Sequence, residues 1–175
     1  LIEGFKDGTL RWQEGELAFL PKLCAQMGFA RAEYLAEARG RRPISRGTEV
    51  TYERVRARFF WSDENYISDG ELSYGQKRLL TFLHYLACNE NFVIADELVN
   101  GLHHDWIDFA LNEIGDRQAF LTSQNPLLFD YLEFKSPEGV QQQFVLCAAE
   151  VGKSRPKMTW RQMSTEKARE FHGAY

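Results

Sequence analysis

Two short segments, about twenty residues apart, constrain this chain more than any other part of its sequence. Residues 71–78 read Glu-Leu-Ser-Tyr-Gly-Gln-Lys-Arg, and residues 91–97 form an apolar run that ends in Asp96 and Glu97. A Ser-x-Gly-Gln turn that opens a helix offers a hydroxyl, a flexible backbone and helix N-terminal amides to a phosphate. A strand that ends in two carboxylates can hold Mg²⁺ and polarise water. Together, in this order, the two segments predict nucleotide chemistry.

Two further segments follow along the chain. Residues 98–103 read Leu-Val-Asn-Gly-Leu-His, and residues 119–128 read Ala-Phe-Leu-Thr-Ser-Gln-Asn-Pro-Leu-Leu. With the first two, they resemble the signature, Walker B, D-loop and switch segments of the non-transport ABC-type ATPases of the AAA family, which are SMC-, RecF- and OLD-like. The resemblance covers about residues 72–134. Gln124 departs from it where a switch histidine is usual, and His104 departs where a proline often follows Leu-His.

The resemblance implies an α/β fold, namely an ABC-type P-loop NTPase whose largely parallel sheet is flanked by helices. No window of the sequence supplies the phosphate loop GxxxxGK[ST]. The chain is therefore expected to be the C-terminal portion of such a domain, lacking the phosphate-loop lobe. Residues 1–70 are predicted to form an insertion of helices and strands that leads to the signature. Residues 71–175 are predicted to run from the signature to C-terminal strands and a closing helix.

The resemblance assigns the nucleotide to an interface between two subunits that meet head to tail. Ser73 and Gly75, with Gln76 beside them, would face the γ-phosphate of ATP held by the phosphate loop of the other subunit. Asn100 and Gly101 would couple the two sites. Taken alone, Ser73 also fits a helix cap, so its residue type does not decide between the two roles.

The same resemblance implies the catalytic groups. Asp96 would hold Mg²⁺ through coordinated waters, and Glu97 would orient or deprotonate the attacking water. Gln124 offers an amide donor to the γ-phosphate but cannot accept a proton at neutral pH as a histidine can. The alternative is that the loop shifts and Ser123 or Asn125 makes this contact. In isolation, the two carboxylates would also fit a strand end followed by a solvated turn.

The function implied is ATP binding and hydrolysis by a head-to-tail dimer that drives a conformational switch in DNA repair or anti-phage defence. The expected partner is a second ATPase subunit or an N-terminal lobe that carries the phosphate loop, and this chain alone is expected to be inactive. DNA or RNA and an effector nuclease are candidate partners. A non-catalytic ABC-like scaffold that assembles an effector is the alternative, which Gln124 and the missing phosphate loop favour and the Asp96-Glu97 pair opposes. A transporter subunit is disfavoured because Asp96-Glu97 continues with Leu-Val rather than proline.

Arginines are concentrated between residues 31 and 58, which makes that window net positive in a chain whose formal charge is −4. One interpretation is a nucleic-acid surface. The other is a solvated strand and loop whose arginines pair with the glutamates of the same window. His103 and His104 do not predict a metal site, because adjacent side chains point in different directions.

Composition agrees with one cytoplasmic globular domain of 175 residues that is 44% hydrophobic. No apolar run approaches the length of a membrane span, and no secretory leader is visible. The three cysteines, Cys24, Cys88 and Cys147, lack the spacing of a disulfide framework or a zinc site. They are predicted to be buried, inert thiols.

Periodicity gives a provisional order of helices, strands and turns. Helices are predicted at residues 14–27, 30–38, 74–89, 106–114 and 165–171, the last one capped by Ser164. Strands are predicted at residues 2–12 (a strand or hairpin), 48–61, 92–95, 119–121, 132–134, 144–149 and 157–161. A basic loop is predicted at residues 39–47, and turns are predicted at 137–139 and 152–156. The strands at 92–95 and 119–121 read as buried on both faces of a parallel sheet.

Overall fold

A computed structural model describes residues 9–13, 17–150 and 157–174. The chain divides into two compact units, Leu1–Leu128 and Phe129–Tyr175. The boundary that the sequence suggests between residues 70 and 71 stays a prediction. Among the described residues, no helix is both long enough and apolar enough to cross a membrane.

The first unit contains six strands, three α-helices and a short 3₁₀ helix (Asp69–Glu71) among the residues that the structure describes. In chain order these are β1 (Thr9–Gln13), α1 (Phe19–Met27), β2 (Arg31–Ile44), β3 (Gly47–Phe60), β4 (Tyr66–Ser68), α2 (Tyr74–Ala87), β5 (Phe92–Ala95), α3 (His104–Ile114) and β6 (Gln118–Leu121). Strands β1 to β4 form an antiparallel sheet in sequential order, and β5 pairs with β6 in parallel. The predicted helices at α1, α2 and α3 and the predicted strands at β3, β5 and β6 are confirmed. The part of the N-terminal prediction at residues 2–8 lies outside the described residues.

The prediction of a helix at residues 30–38 and a loop at 39–47 is wrong. Both segments belong largely to β2 and the start of β3, which pair from Arg31 with Phe60 to Ile44 with Gly47. The register shifts twice on the way, between Leu35 and Glu37 and between Ala38 and Gly40. Alanine and glutamate favour a helix, but β2 is paired on both sides, with β1 and with β3, and this pairing overrides the local propensity. Only a two-residue turn, Ser45 and Arg46, separates the two strands.

One hydrophobic core holds the first unit together. It joins α1, the base of the β2–β3 hairpin, α2, β5 and α3, and its most buried large side chains are Leu20, Leu23, Phe59, Leu79, Leu83 and Val93. Helix α1 ends at Gly28, whose φ of 76° lies in the left-handed region that glycine adopts at helix ends. The outer part of the hairpin does not reach this core, because residues 39–49 are all exposed.

The expectation of a largely parallel sheet is wrong for the described strands, since only β5 and β6 are parallel. Burial on both faces is also wrong for this pair. Val93 and Ala95 face the core, whereas Phe92, Ile94 and Phe120 are 42%, 60% and 48% exposed on the other face. Short apolar runs look the same in sequence whether one face or two are covered, because both faces of these strands carry apolar side chains.

The second unit contains α4 (Pro137–Gln143), the antiparallel pair β7 (Val145–Glu150) and β8 (Lys157–Gln162), and α5 (Thr165–Ala174). Val140, Met163 and Ala168 form its small core. The predicted strands at β7 and β8 and the helix at α5 are confirmed, and the Ser164 hydroxyl accepts the Lys167 amide at 3.3 Å.

Two predictions for the second unit are wrong, and a third concerns residues that the structure does not describe. Residues 132–134 are not a strand, and Pro137 begins α4 rather than a turn because the Ser136 hydroxyl caps the Gly139 amide at 3.0 Å. The predicted turn at 152–156 lies outside the described residues.

Of the three cysteines, Cys24 is buried as predicted, but Cys88 and Cys147 are exposed. Cys147 lies between the apolar residues Leu146 and Ala148, and Cys88 immediately follows α2, so residue type alone does not indicate that either is exposed.

Candidate nucleotide site

The start of α2 presents the signature segment as a complete capping box. The Ser73 hydroxyl accepts the Gln76 amide at 3.3 Å, and the Gln76 side-chain oxygen accepts the Ser73 amide at 2.9 Å. The structural role of Ser73 as a cap is therefore realised. The hydroxyl keeps its own proton as a donor, so the cap leaves it able to bind a phosphate oxygen as well.

Just before the cap, Glu71 is fixed by a second capping arrangement. Its carboxylate accepts the amide and the hydroxyl of Ser68, each at 2.8 Å. These bonds, the backbone one foremost, lower the pKa of the Glu71 carboxyl below its ordinary value. The entry to α2 is thus defined by two consecutive side-chain caps.

The signature turn and the D-loop touch through two glycines. A Cβ built on Gly75 would lie 2.5 Å from the carbonyl oxygen of Gly101, and one built on Gly101 would lie 2.4 Å from the Tyr74 ring. Gly101 also has a φ of 75°. The structure therefore brings together these two predicted site residues, which are far apart in sequence.

Asp96 and Glu97 lie where β5 ends, next to the end of β6. The Thr122 hydroxyl donates to Asp96 Oδ1, and the Thr122 hydroxyl oxygen accepts a hydrogen bond from the Glu97 amide at 3.2 Å. The Thr122 amide donates in turn to the Ala95 carbonyl at 3.0 Å. Parallel strands end at the same edge of a sheet, and this brings Thr122 against the carboxylates.

The Glu97 carboxylate is held by two donors from different loops. Asn100 Nδ2 donates to Oε2 at 2.7 Å, and the Gln124 amide donates to both oxygens at 3.1 and 3.2 Å. Glu97 has a φ of 53°, a left-handed conformation that non-glycine residues rarely adopt. Three predicted site residues, Glu97, Asn100 and Gln124, therefore meet directly. The contact that Gln124 makes here is through its backbone, not its side chain.

Sequence reasoning missed two residues of this site. Thr122 received no role, although a hydroxyl at the end of the neighbouring parallel strand is the signal that could have indicated one. Arg78 is the last residue of the 71–78 segment and has no role in the sequence analysis. Its guanidinium donates to the carbonyls of Asp96 and Leu98 at 2.9 and 3.3 Å and also to that of Glu97. Nothing in the sequence spacing alone indicates those contacts.

An open cavity of ≈ 490 Å³ lies beside the carboxylates, between α2 and β5. It is lined mainly by aromatic and apolar side chains, together with two cations, Lys77 and Arg78, and one carboxylate, a mixture typical of small-molecule sites. The lining includes Tyr74, Arg78, Phe82, Tyr85, Ile94 and Asp96.

The described residues hold no cluster of three or more histidine, cysteine or acidic side chains that could bind a metal by themselves. Mg²⁺ does not need such a cluster, because it keeps several waters and is commonly bound by one or two carboxylates together with substrate phosphates. The exposed Asp96 carboxylate, oriented at one oxygen by Thr122, fits that requirement.

The arginine-rich window forms the β2–β3 hairpin, and its charges largely pair with one another. Four ion pairs cross between the strands at 2.7 to 3.7 Å, and a fifth joins Arg31 to Glu64 at 2.6 Å. The interstrand pairs are Arg39–Glu53, Arg42–Glu49, Arg54–Glu37 and Arg58–Glu33. These contacts favour the self-paired interpretation of this window over a nucleic-acid surface.

No protein-family model matches the chain, and no curated protein matches it. Among solved structures, one from work on the ATP-driven dimerization and DNA-stimulated activation of SMC ATPases is similar over 81% of this chain and 80% of that chain. The identity is 12% and the TM-score is 0.42. A similarity this low carries no argument about fold or activity.

Proposed function

We propose that this chain is the carboxylate-bearing portion of an ABC-type ATPase of the non-transport group, which hydrolyses ATP as a head-to-tail dimer. The observation that carries the proposal is the Glu97 carboxylate, fixed by Asn100 and Gln124 at the edge where β5 and β6 end. Glu97 and the residues around it come from the four segments that resemble those of the ABC-type ATPases.

In this proposal Glu97 orients the attacking water and accepts its proton. A carboxylate has about four lone-pair positions, so the bonds from Asn100 and Gln124 leave acceptor capacity for a water. Asp96 would hold Mg²⁺, which when bound neutralises charge on the phosphates. Ser73 and the amides at the start of α2 would donate to the γ-phosphate of a nucleotide held by the partner.

The proposed partner is a second ATPase subunit or lobe that carries the phosphate loop. The exposed apolar face of Phe92, Ile94 and Phe120 supports a missing neighbour, because parallel strands are ordinarily covered on both faces. A cytoplasmic location is proposed from the composition, and a conformational switch in DNA repair or phage defence is proposed from the resemblance of the motifs. DNA or RNA and an effector nuclease remain candidate partners on the same basis.

A non-catalytic scaffold is the second candidate. The reciprocal capping of Ser73 and Gln76 favours it, because both side chains already have partners within α2. A scaffold would keep the contacts between the signature turn and the D-loop while binding no nucleotide.

ATP hydrolysis by the assembly of this chain with its phosphate-loop partner separates the two candidates. We expect Glu97→Gln to lower kcat by about a hundred-fold or more, the range of general-base catalysis, while ATP binding is retained. Glu90→Gln, which changes an exposed glutamate before β5, is the matched control and should leave kcat unchanged. If the wild-type assembly neither binds ATP nor turns it over above the Glu97→Gln level, the scaffold is the better account.

A further inference from the structure

Arg78 holds the chain segment that carries both carboxylates. It lies one turn into α2, and its guanidinium donates to three consecutive carbonyls, those of Asp96, Glu97 and Leu98. The peptide groups on both sides of Glu97 are therefore tied to the helix that begins with the signature turn.

The backbone conformation of Glu97 needs stabilising contacts. Its φ of 53° is unfavourable for a residue with a side chain, and such conformations persist where the surroundings over-determine them. The guanidinium spreads its donors over three nitrogens of one rigid plane, and Arg78 uses Nε and Nη2 for these carbonyls. The three donors of a lysine ammonium share one nitrogen at the end of a flexible stem and do not reproduce that geometry.

Tyr74 makes a further hydrogen bond with the guanidinium. Arg78 Nη1 donates to the Tyr74 hydroxyl at 3.3 Å, and the Tyr74 ring lies against Gly101. The contacts thus form a continuous path from the exposed signature turn, through Arg78, to the peptide that sets the direction of the Glu97 carboxylate.

We propose that Arg78 is a positioning residue for ATP hydrolysis, fixing the Glu97 turn so that the carboxylate points at the attacking water. The proposal rests on the function proposed above. Since Arg78 acts on the backbone of Glu97 rather than on the nucleotide, its loss should lower kcat and leave the KM for ATP nearly unchanged.

Amide hydrogen exchange tests the backbone role without nucleotide. We expect Arg78→Lys to increase exchange in residues 96–101. The matched control is Arg117→Lys, because Arg117 also donates to several carbonyls, among them those of Asn89 and Ile114, but at the other end of β5. That control should increase exchange near residues 89–92 and 114–118 and not at 96–101. Unchanged exchange at 96–101 in Arg78→Lys would overturn the proposal.

Steady-state kinetics of the assembly test the catalytic consequence. We expect kcat to fall about ten- to a hundred-fold in Arg78→Lys, with KM within about threefold, and both constants within about threefold in Arg117→Lys. A raised KM with an unchanged kcat in Arg78→Lys would instead place Arg78 in nucleotide binding and contradict the proposal.

A double-mutant cycle shows whether Arg78 acts through Glu97. In a Glu97→Gln background, Arg78→Lys should cost nothing further, because the carboxylate it positions is gone. Multiplied losses would mean that Arg78 acts independently. A wild-type assembly that binds no ATP overturns the proposed function itself, and the exchange pattern then still decides whether Arg78 holds the Glu97 turn.

Discussion

Gly75, in the first turn of α2, and Gly101, in the loop after the carboxylates, meet backbone to backbone with no room for a side chain between them. A Cβ on Gly75 would lie 2.5 Å from the Gly101 carbonyl oxygen, well inside any normal contact distance. The turn at residues 73–76 and the loop at residues 98–103 are therefore in direct contact within this chain.

Gly75→Ala should destabilise the first unit. The obstructing atom is backbone, so the loop or the helix start must shift, and overpacking of this kind costs about 1–3 kcal/mol. Chemical denaturation measures the loss. Gly173→Ala is the control, because a Cβ there meets nothing within 4 Å. Equal stability of the wild type and Gly75→Ala would show that the two loops are not in contact.

Gly101→Ala should expel the Tyr74 ring. The new Cβ would lie 2.4 Å from that ring, which is 66% exposed and can swing outward, but the φ of 75° remains unfavourable for alanine. We expect Tyr74→Ala to remove the steric part of the penalty in the double variant and to leave about 1–2 kcal/mol from the backbone. Full additivity of the two single changes in denaturation experiments would contradict the contact.

Thr122→Val should impair catalysis more than folding. The substitution keeps the shape but removes the hydroxyl that donates to Asp96 and accepts from Glu97. Hydrogen bonds to charged groups contribute about 1.5–3 kcal/mol, so kcat should fall about ten- to a hundred-fold. Thr159→Val removes a hydroxyl that donates to the Ala148 carbonyl, away from the carboxylates, and serves as the control. If the two variants hydrolyse ATP equally fast, Thr122 has no role in the site.

The side chain and the amide of Gln124 can be separated by substitution. Gln124→Ala keeps the N–H that binds Glu97, so kcat should stay within about threefold while the KM for ATP rises from loss of the phosphate contact. Gln124→Pro removes the N–H and should lower kcat strongly. The reverse ranking of the two variants in kcat would assign the catalytic contact to the side chain.

The free energy of unfolding should fall in alkali because of Tyr34. Burial foremost, and then the nearby Asp69 and Cys88, raise the pKa of its hydroxyl above the ordinary 10.0. The raised pKa of the folded state means that the stabilisation is complete below pH 10 and is lost as the pH rises through the folded pKa, by up to about 1.4 kcal/mol per unit. Denaturation across pH 8–11 should show a smaller decline for Tyr34→Phe than for the wild type. Tyr66→Phe, at an exposed position, should follow the wild type.

The proximity of most residues of the candidate site could be predicted from the sequence because the signals there are local. A capped helix start, an apolar run ending in carboxylates and a second short strand each span a few residues, and parallel pairing of β5 with β6 then brings their ends together. The roles of Arg78 and Thr122 were not predictable in this way, because each depends on contacts with residues about twenty or more positions away.

The largest error in the fold has a different cause. Residues 30–38 carry alanine and glutamate, whose intrinsic preference is helical. In the structure, however, Glu33 lies opposite Arg58 on β3. Alternate residues of β2, Ala32, Tyr34 and Ala36, are buried. The partner strand that decides the conformation comes later in the chain. Local propensity cannot report a pairing of this kind.

The outer part of the β2–β3 hairpin extends away from the core of the first unit and does not cover it. From the buried Tyr34 to Ile44 near its tip, the strand spans roughly 30 Å at the usual rise per residue. This distance is several Debye lengths at physiological salt, where screening acts over about 8 Å. A charge that binds at the tip therefore exerts almost no field at the core end of the hairpin, and whatever the tip contacts can influence the rest of the unit only by bending the strands.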